Sequence, residues 1–228
     1  MNTENPPITT IIFDMDNTLF DLVGAQHAAC KAVVSHLDHN DWEALFSLFL
    51  TTTHGFESHE NIRDYLCNQQ HFTPETFAKT CRIYDTEKLR FITPYPGVPE
   101  TLATLHRMGY PMGIVTDAEQ KDATLRLDKC GFRSLFDCVV TSDIVKKKKP
   151  APEPFLHALT ALNVTPSEVL VIGDSPRRDI EPCRALGIRT AYARYGDRFS
   201  GDRDTCHADF VLDHMNQLPG LLNGYRTR

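Results

Sequence analysis

Asp14 and Asp16 stand two residues apart at the end of the apolar run Ile11-Ile12-Phe13, and Thr18 follows two further on. Strand side chains alternate faces, so residues two apart point the same way. If the alternation carries one step past Phe13, both carboxylates look into one site. One could then serve as a nucleophile and the other as a neighbouring acid, with a divalent cation shared between them. An Asp-Asn turn closing a strand is the plainer account of the same residues, since both favour turns.

Three further segments carry candidate groups. Ile114-Val115-Thr116-Asp117-Ala118 reads as a strand ending in a hydroxyl and opening a helix, where Thr116 and free helix-start amides could hold a phosphate. An ordinary Thr/Asp helix cap gives the same pattern. In Lys146-Lys147-Lys148-Lys149-Pro150 the first three lysines read as a solvated loop, whereas Pro150 restricts the chain beside Lys149 and can set its direction. One oriented ammonium would offset crowded carboxylates and a phosphate. Val169-Leu170-Val171-Ile172-Gly173-Asp174-Ser175 is a buried strand delivering another carboxylate, with Asp179 five residues on. Magnesium takes octahedral oxygen coordination and keeps waters, so two carboxylates, a carbonyl and a substrate phosphate suffice.

These segments need elements to position them. Candidate strands are Met112–Val115, Cys138–Thr141, Val169–Ile172, Thr190–Ala193 and Phe210–Leu212, in addition to the one ending near Phe13. Helical stretches lie near Val98–Met108, Ala118–Lys129, Pro154–Leu162, Arg177–Leu186 and Met215–Asn223. Strands alternating with helices of this length predict an α/β fold, a doubly wound, Rossmann-like parallel sheet with ligands at the carboxyl ends of the strands. Gly109, Gly131 and Gly187 sit where helix C-caps belong. Between the first and second strands, once the Val98–Met108 helix is allowed for, roughly 70 residues remain, from about Leu22 to Phe91, more than any ordinary loop holds. Leu45, Leu48 and Phe49, then Phe77, Cys81 and Tyr84, recur there at helical spacing. The expected division is a core of residues 1–21 and 92–228 and an inserted α-helical cap at 22–91, placed to act as a lid over the carboxylates.

Composition bounds the function. A chain of 228 residues, 41% hydrophobic, can bury a sizeable core, and a net charge of −6 argues against a nucleic-acid partner. The absence of a long apolar run argues against a membrane span, and the N-terminal residues lack a basic-then-apolar signal pattern. Seven cysteines, scattered and never spaced Cys-x-x-Cys, read as reduced packing thiols, so a cytoplasmic location is expected. His36-x-x-His39 lacks nearby partners for a metal site and reads as structural or surface. The size fits a monomer or homodimer.

The order Asp14-Met-Asp16-Asn-Thr18-Leu, Thr116-Asp117, Lys149-Pro150 and Gly173-Asp174-Ser175…Asp179 resembles the haloacid dehalogenase superfamily, in its phosphatase branch with a helical cap after the first motif. Cys183-Arg184-Ala185-Leu186-Gly187 looks like the helix before that family's fifth strand, and Tyr195-Gly196 looks like the loop after it in nucleotide and sugar monophosphatases. The resemblance implies a strand order 5-4-1-2-3 and a small-molecule phosphate ester as substrate. It makes Asp14 the nucleophile that becomes an aspartyl-phosphate and Asp16 the acid, then base. Thr116 and the Asp117 amide would hold the phosphoryl oxygens, with Lys149 balancing charge. Mg2+ would be held by Asp14, the Asp16 carbonyl and Asp174, with Thr18 and Asp179 supporting. Asn17, Ala118 and Ala151 depart from the commonest residues at their positions and put loop geometry in question.

Three other activities fit parts of this pattern. A 2-haloacid dehalogenase would use Asp14 but has no need of Asp16 with a metal pair, because halide leaves without a proton. A phosphomutase would pass the phosphoryl group to a sugar hydroxyl. A phospho-aspartate receiver module shares the acidic residues, Thr and Lys-Pro, but not the long insertion. Phe20, Asp21 and Arg63 are candidate substrate contacts.

Overall fold

The structure, a computed structural model, describes residues 6–51, 53–199 and 206–225. It divides into two compact units, Leu22–Thr93 and a second formed by Met1–Asp21 with Pro94–Arg228.

The inserted unit is built from α1 (Leu22–His36), α2 (Trp42–Phe49), α3 (Glu60–Asn68) and α4 (Pro74–Phe91). The spacing that predicts helices predicts its core: Leu45, Phe49, Cys81 and Tyr84 are buried together with Val33, Ile62 and Leu66, and Leu48 and Phe77 pack at the margin. Phe49 and Tyr84 stack with centroids 4.9 Å apart. The buried Gln26 amide donates to the Tyr84 hydroxyl at 3.1 Å and to the Phe56 carbonyl at 2.7 Å. Thr73 caps α4, its hydroxyl accepting from the Thr76 N–H at 3.0 Å, and Pro74 fills the first position, where a missing N–H costs nothing. His39 lies 3.3 Å from His71 and 3.7 Å from Asp41, and neither His39 nor His36 belongs to a three-ligand group among the described residues.

The second unit is a six-stranded sheet of β1 (Thr10–Phe13), β2 (Met112–Val115), β3 (Cys138–Val140), β4 (Val169–Gly173), β5 (Arg189–Ala193) and β6 (Phe210–Leu212). Its order is β3-β2-β1-β4-β5-β6, parallel throughout. The expected five-strand order is present, and β6 extends it beyond β5. Every residue of β1, β2 and β4 is buried, which explains their unbroken apolar runs. In register, Ile12 faces Gly113 and Val171, and Phe13 faces Ile114 and Ile172, so β1 and β4 end side by side.

The connecting helices are α5 (Val98–Arg107), α6 (Gln120–Lys129), α7 (Ser142–Val145), α8 (Glu153–Leu162), α9 (Glu181–Ala185) and α10 (Leu218–Leu222). One layer of core joins Ile12, Val115 and Val171 of the sheet to Phe155, Ala158 and Leu159 of α8 and Cys183 of α9. Gly109, Gly131 and Gly187 have φ of 78°, 70° and 75°, the left-handed turn that ends a helix. No helix among the described residues is long and apolar enough to cross a membrane, and all seven cysteines are free thiols.

Three expected helices differ. The helix expected from Ala118 begins at Gln120, because Thr116 turns its hydroxyl onto the Ala118 N–H at 3.1 Å and Glu119 is still extended. The helix expected over Arg177–Leu186 is split into a π-helical turn, Pro176–Ile180, and α9. Pro182 has no N–H to continue a ladder, so it opens a new helix instead. Likewise Met215–Gln217 is a 3₁₀ turn and α10 is confined to the residues after it.

Candidate active site

The Asp14 N–H donates to the Ile172 carbonyl at 2.8 Å, continuing the β1–β4 ladder one step beyond Phe13. That hydrogen bond carries the strand alternation past Phe13 and fixes the Asp14 backbone beside the end of β4. Asp14 is 5% exposed. Its two oxygens have different partners: Oδ2 accepts from the Thr18 hydroxyl at 2.9 Å, and Oδ1 accepts from Lys149 Nζ at 2.5 Å. The intervening chain turns sharply at Asn17, whose φ of 63° is left-handed, a conformation Asn tolerates better than most residues. The fifth-strand loop braces this turn. Tyr195 donates its hydroxyl to the Thr18 carbonyl at 2.7 Å, and a Cβ on Gly196 would lie 1.6 Å from the Asn17 oxygen. Only glycine fits there.

Lys149 is buried while Lys146, Lys147 and Lys148 are exposed. Its ammonium donates to Asp14 Oδ1, to Asp179 Oδ1 at 2.6 Å and to the Val115 carbonyl at 3.2 Å. Those are all the protons it has. Burial opposes its charge, but Asp14, Asp179 and Asp117 outweigh burial and hold it above the usual lysine range. The Lys149 backbone is set separately, its N–H donating to Asp117 Oδ1 at 2.8 Å.

Asp174, 3% exposed, follows β4 directly, and the π-helical turn swings the fully buried Asp179 back beneath it. Asp179 Oδ2 accepts from the Ser175 N–H at 3.1 Å. A Cβ on Gly173 would come within 2.5 Å of the Asp179 side chain, so this glycine provides the space that the returning carboxylate occupies. Asp14, Asp174 and Asp179 each bring an oxygen within 4.8 Å of the others. Asp174 Oδ1 is buried with no hydrogen-bond partner among the described residues. Burial first, then the charges of Asp14 and Asp179, push the Asp174 carboxyl well above its ordinary range, against the pull of Arg178 and Lys149. Burial raises Asp179 too.

A family model for haloacid dehalogenase-like hydrolases matches residues 11–193. The chain belongs to that family. It is 30% identical to a glyceraldehyde 3-phosphate phosphatase from Pyrococcus furiosus over 94% of this chain and 93% of the relative. A phosphoglycolate phosphatase from Cupriavidus necator is 28% identical over 99% of this chain and 98% of its own. YfnB from Bacillus subtilis, solved bound to magnesium, has the same fold with a TM-score of 0.76 at 18% identity, covering 95% of this chain and 99% of that one. Motif order, insert position and these relatives together mark the chain as a haloacid dehalogenase-like phosphatase of the helical-insert branch.

Within this haloacid dehalogenase-like site, Asp14, Lys149, Asp174 and Asp179 meet directly, and Thr18 joins through Asp14. Thr116 is buried with its N–H donating to the Val140 carbonyl at 2.9 Å, and Asp117 lies 3.6 Å from Arg178. The Asp16 carboxylate is held elsewhere, Oδ2 accepting from Arg126 Nη1 at 2.6 Å. Phe20 is no substrate contact: it is fully buried, its ring flat on Phe132. Asp21 pairs with Arg198 at 3.2 Å, and Arg63, in the inserted unit, pairs with Glu60 at 3.3 Å. Sequence reasoning missed Arg126, Arg178 and the Tyr195 hydroxyl. A signal for Arg126 was present: Ala123, Arg126 and Leu127 share the one buried stripe of an otherwise polar helix.

Proposed function

We propose that the protein is a magnesium-dependent phosphomonoesterase for a small phosphorylated metabolite, working through an aspartyl-phosphate on Asp14. The observation that carries this reading is the buried trio of Asp14, Asp174 and Asp179, with one Asp174 oxygen unpartnered among the described residues. Three carboxylates in so small a volume are tolerated only when opposite charge offsets them, and Lys149 and Arg178, the two cations acting on Asp174, still leave its carboxyl raised. An all-oxygen donor set suits magnesium, which completes its coordination with waters and a substrate oxygen. Asp14, Asp174 and the Asp16 carbonyl would hold the cation, with Asp179 steering Lys149 and the adjoining solvent. When bound, it would supply charge stabilisation for the phosphoryl oxygens and the approaching carboxylate.

The chain's own residues do the rest. Asp14 attacks phosphorus, its carboxylate held between Thr18 and Lys149 so that little reorientation is needed. Asp16 protonates the departing alkoxide, then takes a proton from the water that hydrolyses the acyl phosphate. Thr116 and the Asp117 amide receive the phosphoryl oxygens, while Lys149 keeps its charge beside them. The helical insert, entering the chain directly after the Asp-x-Asp loop, sets substrate choice. The activities named for the Pyrococcus and Cupriavidus relatives support a small phosphomonoester as the substrate.

Phosphate release from a panel of phosphorylated sugars, nucleotides and phosphoglycolate, with and without magnesium, tests this reading. Asp14→Asn is expected to abolish turnover, a loss of at least about 10³-fold, while the melting profile stays that of a folded protein. Normal turnover in that variant would defeat the mechanism.

A further inference from the structure

Two ties bind the loop after β1 to α6. One is the ion pair between Asp16 and Arg126, whose side chain is 2% exposed. The other is the Phe20–Phe132 stack, centroids 5.8 Å apart and planes 8° apart, with Phe132 just beyond the end of α6. The stack alone would anchor the loop. A guanidinium on the buried face of a polar helix is a poor choice for packing, where methionine or leucine would serve without desolvating a charge. Its fork meets a carboxylate in a defined plane, which an apolar side chain cannot do.

We infer that Arg126 is the positioning residue for Asp16, holding its carboxylate by Oδ2 in the orientation from which it reaches the leaving-group oxygen. The inference rests on the assignment of Asp16 as the acid. It also accounts for why the Asp16 side chain stays apart from the Asp14–Asp174–Asp179 cluster: its rotation is committed to α6. Proton transfer needs a heavy-atom separation near a hydrogen bond, and a displacement of about 1 Å costs on the order of 10²-fold in rate. Arg126 thus acts through Asp16 and touches no substrate.

The test uses the full chain with magnesium and two synthetic esters of like shape, phenyl phosphate and p-nitrophenyl phosphate. Phenolate is the poorer leaving group and depends more on a proton. Arg126→Met is expected to lower kcat on phenyl phosphate by about 10–100-fold, with a smaller loss on p-nitrophenyl phosphate and KM within about threefold. Arg126→Lys should recover part of the loss. In an Asp16→Asn background, adding Arg126→Met should change kcat by less than about threefold, because the group it positions is already gone. That paired variant also removes both charges of the ion pair, so it keeps the test open if Arg126→Met alone folds poorly. Equal losses on the two esters, or an undiminished Arg126→Met loss in an impaired Asp16→Asn enzyme, would overturn the inference and leave the acid assignment standing. An Asp16→Asn enzyme as fast as the parent would overturn both.

Discussion

At the residue scale, the site depends on side chains that are absent as much as on those present. Gly173 has an ordinary strand conformation, so its requirement is spatial: Asp179 Cβ and Cγ stand 2.5 Å from where a methyl would go. Gly173→Ala must push Asp179 away, and Asp179 holds one of the three Lys149 hydrogen bonds. The substitution is expected to cost about 1–3 kcal/mol in thermal or urea unfolding, as overpacking does. Turnover should fall further than that loss of stability explains, by tens of fold or more. A Gly173→Ala enzyme with parental kcat would show that the Lys149–Asp179 contact is dispensable. Asn17 illustrates the opposite tolerance. It is not a glycine, yet its left-handed φ of 63° is one that Asn accepts, so the turn is held.

At the element scale, the loop after β5 steadies the loop after β1. Tyr195→Phe removes the hydroxyl that donates to the Thr18 carbonyl while keeping the ring against Tyr95, 5.1 Å between centroids. Leaving that carbonyl without its partner is expected to cost about 1–2 kcal/mol, measured as a lower melting temperature. Because Thr18 also holds Asp14, kcat should drop several-fold with KM little changed. Unaltered kcat would separate the loop's brace from the proposed nucleophile. The alternation of apolar runs with helical patterns made all six strands legible, most clearly β1, β2 and β4, which are buried throughout. Lys149 was legible against its three exposed neighbours because Pro150 marks the one lysine whose backbone direction is constrained. What escaped were features decided by side chains meeting across the fold. The π-helical turn at Pro176–Ile180 is shaped by Ser175 and Asp179, and no periodicity announces it. Arg126 finds Asp16 across more than a hundred residues, and spacing along α6 alone cannot name that partner.

At the scale of the whole molecule, the clustered carboxylates make stability depend on pH and on cations together. Burial and the neighbouring Asp14 and Asp179 raise the Asp174 carboxyl above the unfolded value of about 3.9. A group raised in this way contributes stability below its unfolded value, and that contribution is lost as pH rises through its folded value. Asp174→Asn removes the ionisation. The metal-free variant should therefore melt higher than the parent near neutral pH, and the gap should close toward pH 4. Added magnesium should raise the parent's melting temperature and not the variant's, reversing their order at neutral pH, by linkage of binding to folding. A metal-free variant that melts below the parent at every pH would refute the assignment of net repulsion to this cluster.

Lys149 gives the site a property beyond its proposed role in turnover. Its three protons go to groups brought by β1, by β2 and by the turn after β4, so a single ammonium closes the carboxyl end of three strands like a clasp. No fragment of the sheet can reproduce that closure. Turnover would therefore report on the integrity of these three central strands together.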